Sequence, residues 1–81
     1  MVELLTRRIA KEYVGRAKQI PDESRQDVEN RRELRMELQE RCGLTELEAV
    51  NIINGYHIGD YVAKYERRYE DNERSKEQRR N

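Results

Sequence analysis

The chain has no Phe and no Trp, and only one Cys, one His and one Pro among its 81 residues. Each scarcity excludes something. A lone Cys42 cannot form an intramolecular disulfide or a cysteine zinc cluster, and with His57 as the only histidine no set of three or four convergent zinc ligands exists. One Pro and four Gly exclude collagen-like and low-complexity classes. No apolar stretch approaches the ~18 residues of a membrane span. The opening Met1-Val2-Glu3-Leu4-Leu5-Thr6-Arg7-Arg8 places its charges after its apolar residues, the reverse of a signal peptide, so a cytoplasmic protein is expected. A charge excess of either sign is missing too: 17 Lys and Arg balance 17 Asp and Glu.

What remains is one small domain, 42% charged and 35% apolar. Leu, Ile and Val are few, so the core is thin, but the balanced charge separates the chain from strongly charged disordered sequences. Charge is unevenly placed. Residues 1–20 and 64–81 are net positive and residues 21–63 net negative, so basic ends flank an acidic middle.

Hydrophobic spacing predicts an all-α fold, a small bundle of three to four helices. Val2, Leu5, Ile9, Tyr13, Ala17 and Ile20 fall on one stripe at 100° per residue, predicting a first amphipathic helix from about Val2 to Gln19. Opposite that stripe, Arg7, Lys11 and Lys18 form a basic face able to meet a phosphate or an acidic partner, although most such faces are simply solvated. Pro21, followed by Asp22 and Glu23, suits the first turn of a second helix. That helix should run to Cys42, where Gly43 supplies a left-handed stop and Leu44 folds back over the last turn. Its apolar side is narrow: Val28, Leu34, Leu38 and Cys42 are interrupted by Arg31 and Arg35, which spoils a coiled-coil seam.

Apolar residues concentrate between Cys42 and Tyr65, the expected core. Thr45-Glu46-Leu47-Glu48 matches a capping box opening a short third helix, expected to be nearly surrounded, that ends near Ile53 at Asn54-Gly55. Asp60 is the expected N-cap of a fourth helix, along which Tyr61, Tyr65 and Tyr69 recur every four residues. Residues 70–81 contain no apolar side chain, so the reading is a helical domain over 1–69 followed by a charged, frayed or disordered tail.

Chemistry finds little support. Cys42 sits at a helix C-terminus, whose dipole disfavours thiolate, and His57 has no nucleophile placed beside it. The four glycines form no phosphate loop. No catalysis and no cofactor are therefore expected. The third and fourth helices suggest a helix-turn-helix with Lys64, Arg67 and Arg68 on its second helix, but the expected turn exceeds the usual 3 to 4 residues and the basic excess of DNA-binding folds is lacking. A protein-binding module fits better. Tyr61, Lys64, Tyr65, Arg68 and Tyr69 form its expected face, because Tyr and Arg are enriched at interface centres. The competing role for Tyr61 and Tyr65 is to finish the core with their hydroxyls at the rim. Self-association would satisfy the same need for burial.

The stretch from Gly43 to Val62, GLTELEAVNIINGYHIGDYV, is similar to segments of small helical proteins carried by bacterial phages and conjugative elements. That resemblance implies a context in which small helical proteins bind a host protein, as anti-CRISPR inhibitors of bacterial immunity do. The expected partner is then another protein, with a nucleic-acid-processing complex as one such target. No functional residue follows from the resemblance.

Overall fold

The computed structural model describes the backbone of residues 2–79 and the side chains of residues 2–70. Four helices follow an extended segment: α1 Arg7–Lys18, α2 Arg25–Cys42, α3 Glu46–Ile53 and α4 Ile58–Arg79. The fold is all-α, a small bundle. Among the described residues no helix is long and apolar enough to cross a membrane. The expectation of a frayed tail over 70–81 falls largely on side chains outside those described.

The first helix starts later than its apolar period suggests. Thr6 is extended, and its hydroxyl accepts the backbone N–H of Ile9 at 3.2 Å, capping α1. Residues 2–5 instead form a strap across the end of α2. The Glu3 N–H donates to the Arg41 carbonyl at 2.7 Å, one of the carbonyls a helix end leaves without an internal partner. The Arg41 guanidinium holds the Glu3 carboxylate with two contacts, at 3.2 and 3.3 Å, and the Leu5 side chain is fully buried.

The second helix also starts later, at Arg25 rather than near Pro21. Ser24 accepts the Asp27 N–H while Asp27 accepts the N–H groups of Ser24 and Glu23, a reciprocal cap that outweighs the preference of Pro for a first turn. Replacing Ser24 with Ala is expected to cost about 1 kcal/mol. Thermal denaturation should then show a fall of roughly 4–8 °C for a domain of this size; an unchanged melting temperature would remove this cap from the account.

Helices α1 and α2 span about 18 and 27 Å at 1.5 Å per residue, so α2 overhangs its neighbour. This explains Val28, expected on the apolar stripe but 58% exposed. Arg31, from the same overhang, reaches back to the Ile20 carbonyl at 3.1 Å. Further along, Leu34, Leu38 and Cys42 are buried as the spacing required. Gly43 then takes the left-handed conformation (φ 65°, ψ 37°), its N–H and that of Leu44 both reach the Gln39 carbonyl, and Leu44 is buried.

Helix α3, like α1, packs against each of the other three helices, so this eight-residue segment shares the middle of the bundle with α1. Ala49 and Ile52 are fully buried within it, alongside Ile9, Ala10, Tyr13, Leu38 and Val62. It is not surrounded, however: Leu47 is 69% exposed, because α3 packs with one side and Leu47 lies on the other. The core draws on all four helices and the strap rather than on residues 42–65 alone.

Helix α4 begins at Ile58, two residues before the expected cap at Asp60. His57 adopts a left-handed conformation (φ 56°) and its carbonyl accepts the Tyr61 N–H at 3.0 Å, so Asp60 lies inside the first turn, where its charge complements the dipole. The α3–α4 turn is therefore four residues, 54–57, shorter than the spacing suggested.

Candidate functional site

Two residues of the expected face, Lys64 and Tyr65, are held by one carboxylate. Glu48, at the third position of α3, is 4% exposed, and its Oε1 accepts the Thr45 N–H at 3.0 Å and the Thr45 hydroxyl at 3.1 Å. Those bonds complete the capping box. The same oxygen accepts the Tyr65 hydroxyl, and Oε2 lies 2.7 Å from Lys64 Nζ. A local helix-start signal thus becomes the tie between α3 and α4. Burial alone would push the Glu48 carboxyl up, but the hydrogen bonds from Lys64, Tyr65 and Thr45 outweigh it and hold the group down at about 2. Burial, aided by the carboxylate it bonds, pushes the Tyr65 phenol up to about 12. Capping was legible in the residue pattern; the long-range tie was not, because it depends on α4 crossing α3.

The five residues expected on one binding face divide into two groups. Tyr61 faces α3, where its hydroxyl accepts the Asn51 amide at 2.8 Å, and it packs against the core. Lys64 is held by Glu48. Tyr65, Arg68 and Tyr69 turn the other way and share a groove with the strap residues Val2, Glu3 and Leu4 and with Cys42 and Gly43 at the end of α2. Tyr65 belongs to both groups: its ring supports the core, and the Arg68 guanidinium lies 5.6 Å from its centroid, within cation–π range. Tyr69 is 54% and Val2 60% exposed. The groove encloses about 240 Å³, below the ~300–1,000 Å³ of small-molecule sites.

Its walls are fixed from both sides. Gly43 is needed beside the strap because a Cβ there would approach the Val2 side chain to 3.3 Å, in a backbone conformation that already disfavours one. Cys42 is buried behind the groove, and burial pushes its thiol up, away from the reactive thiolate.

The other expected patch stays on the surface. Arg7, Lys11 and Lys18 are exposed along α1, and among the described residues none has a carboxylate within 4.0 Å. Arg7 lies against α4, where a Cβ on Gly59 would come within 3.1 Å of its Nη2. His57 is exposed, with Nδ1 3.8 Å from an Asp60 carboxylate oxygen. A separate hollow of about 440 Å³ between α1 and α2 has Ile20 and Leu34 beneath Arg16, Gln19, Asn30, Glu33 and Glu37; the Arg16–Glu37 ion pair spans it. No family model, no curated protein and no solved structure matches this chain.

Proposed function

We propose that this chain acts without catalysis, by binding another protein through the groove between the strap and α4. The single observation that carries this reading is that exposed Tyr69 and Val2 line one largely apolar groove together with Arg68, whose guanidinium lies 5.6 Å from the Tyr65 ring centroid. Aromatic and Arg side chains with partly exposed apolar neighbours are the ordinary material of an interface centre. In keeping with the resemblance of residues 43–62, the chain serves as an inhibitor or regulator encoded by a mobile element, of the kind represented by anti-CRISPR proteins, and its target is a host protein such as a nucleic-acid-processing complex.

Capture of a partner from the native host by the tagged protein, read by mass spectrometry, tests this. Tyr69→Ala should lower the captured amount at least tenfold with helical circular dichroism and melting temperature unchanged, since Tyr69 is exposed and makes no hydrogen bond among those described. Undiminished capture by the folded variant would refute the assignment of this face.

One observation favours a second reading. A four-residue α3–α4 turn is the length found in helix-turn-helix DNA-binding units. Against it, Lys64 on the second helix is already paired with Glu48, and Asp60 and Glu66 stand exposed on the same helix. Binding to random duplex DNA at low salt, falling steeply as salt is raised, would favour the DNA reading; no binding at low salt would remove it.

A further inference from the structure

Resting on that protein-binding reading, we infer that the strap–α4 groove takes a peptide segment of another protein with one large apolar side chain and a neighbouring carboxylate. The apolar requirement follows from size and lining. About 240 Å³ between Val2, Leu4, Cys42, Tyr65 and Tyr69 suits one or two side chains better than a whole small ligand.

The acidic requirement follows from which charges at the groove are already satisfied. Glu3 is paired with Arg41, a guanidinium it shares with Glu12, in the two-contact pair that also anchors the strap, and Lys64 is paired with Glu48. Arg68 has no carboxylate within 4.0 Å among the described residues and lines the groove, while its guanidinium lies over the Tyr65 ring. A cation–π contact does not use the guanidinium N–H donors as hydrogen bonds, and those donors match a carboxylate in a two-pronged bond. A carboxylate beside the apolar anchor would meet a charge that no carboxylate among the described residues pairs with.

A second copy of the chain fits the groove less well. In a two-fold antiparallel pairing of α4 about Tyr69, each flank of one helix meets the same flank of its copy. At 100° per residue Arg68 lies on one flank, and Glu66 and Glu70 lie on the other. Arg68 would then approach Arg68, and glutamates would approach glutamates.

The test is selection of random 12-residue peptides displayed on phage against the immobilised full chain, in parallel with Arg68→Glu and Tyr69→Ala, each checked for native circular dichroism. The wild-type chain should enrich peptides with Leu, Phe or Met within two positions of Asp or Glu. Arg68→Glu should bind those peptides at least tenfold more weakly and enrich Lys or Arg in place of the acid, whereas Tyr69→Ala should enrich neither. If wild-type peptides depend on Tyr69 yet carry no acidic preference, the charge assignment fails and the protein-binding face survives. If no enriched peptide depends on Tyr69, both fail. Sedimentation showing a dimer that Tyr69→Ala dissociates would overturn the proposal in favour of a second copy as occupant.

Discussion

Replacing Glu48 with Ala is expected to lower the melting temperature by more than 10 °C. The carboxylate is buried and serves four donors at once: the Thr45 N–H and hydroxyl, the Tyr65 hydroxyl and the Lys64 ammonium. Lys64 can turn to water when its partner is lost, because nearly half its side chain is exposed. The Thr45 amide and the Tyr65 hydroxyl are left without their acceptor. Losing a capping interaction costs about 1 kcal/mol, and losing hydrogen bonds to a charged group about 1.5–3 kcal/mol each, part of which water restores. A net loss of about 3 kcal/mol corresponds to more than 10 °C at roughly 4–8 °C per kcal/mol. Glu48→Gln keeps an acceptor for Tyr65 and should lose about half as much. The exposed pair Arg31–Asp22 should contribute at most about 1 kcal/mol, so Asp22→Ala is the control. A Glu48→Ala protein that melts within two or three degrees of wild type would refute the central place given to this group.

Acid should produce the second large effect, through the same oxygen atoms. Glu48 is held at about 2 in the folded chain against an ordinary value of 4.5, so the unfolded chain binds its proton more readily. Its contribution to stability is fully present above pH 4.5 and is lost as pH falls from there towards 2. The shift corresponds to about 3 kcal/mol at 1.36 kcal/mol per unit. Urea denaturation at pH 6, 4, 3 and 2 should show the midpoint falling across that window in wild type. It should fall much less in Glu48→Gln, with Asp27 and Glu37, also held below the usual carboxylate range, supplying the remainder. At the alkaline end the sign reverses: Tyr65 is held protonated up to about 12, so its share is present below pH 10 and is lost as pH rises through 12. Equal acid sensitivity in wild type and Glu48→Gln would show that other carboxylates govern acid unfolding.

Much of the fold is legible where one local signal acts without a competitor. Thr45-x-x-Glu48 set the start of α3, Asn54-Gly55 its end, and Gly43 the left-handed stop of α2. Where two signals compete, periodicity misleads. Val2 and Leu5 continue the helical spacing of Ile9 and Tyr13, yet Thr6 caps the helix after them, and the strap is fixed by Glu3 meeting Arg41, 38 residues away. Ser24-x-x-Asp27 is as plain a signature as Thr45-x-x-Glu48, but it lies just beyond Pro21, which carries a start signal of its own. The candidate site was legible in part. Four-residue spacing placed Tyr61, Tyr65 and Tyr69 along one helix, but the 40° advance at each step carries Tyr61 towards α3 and Tyr69 towards the strap. Only the packing reveals which end of the row remains open.

Helix α4 leans on α1 and α3, and it meets the end of α2 at the groove, where Tyr65 and Tyr69 share the lining with Cys42. Anything seated between Tyr69 and Val2 would clasp α4 to the strap, so occupancy and folding are thermodynamically linked. At a hundredfold excess over its dissociation constant, such an occupant adds about 2.7 kcal/mol to the stability of the whole. A dye-based melting assay could therefore rank candidate segments by the stability each one adds.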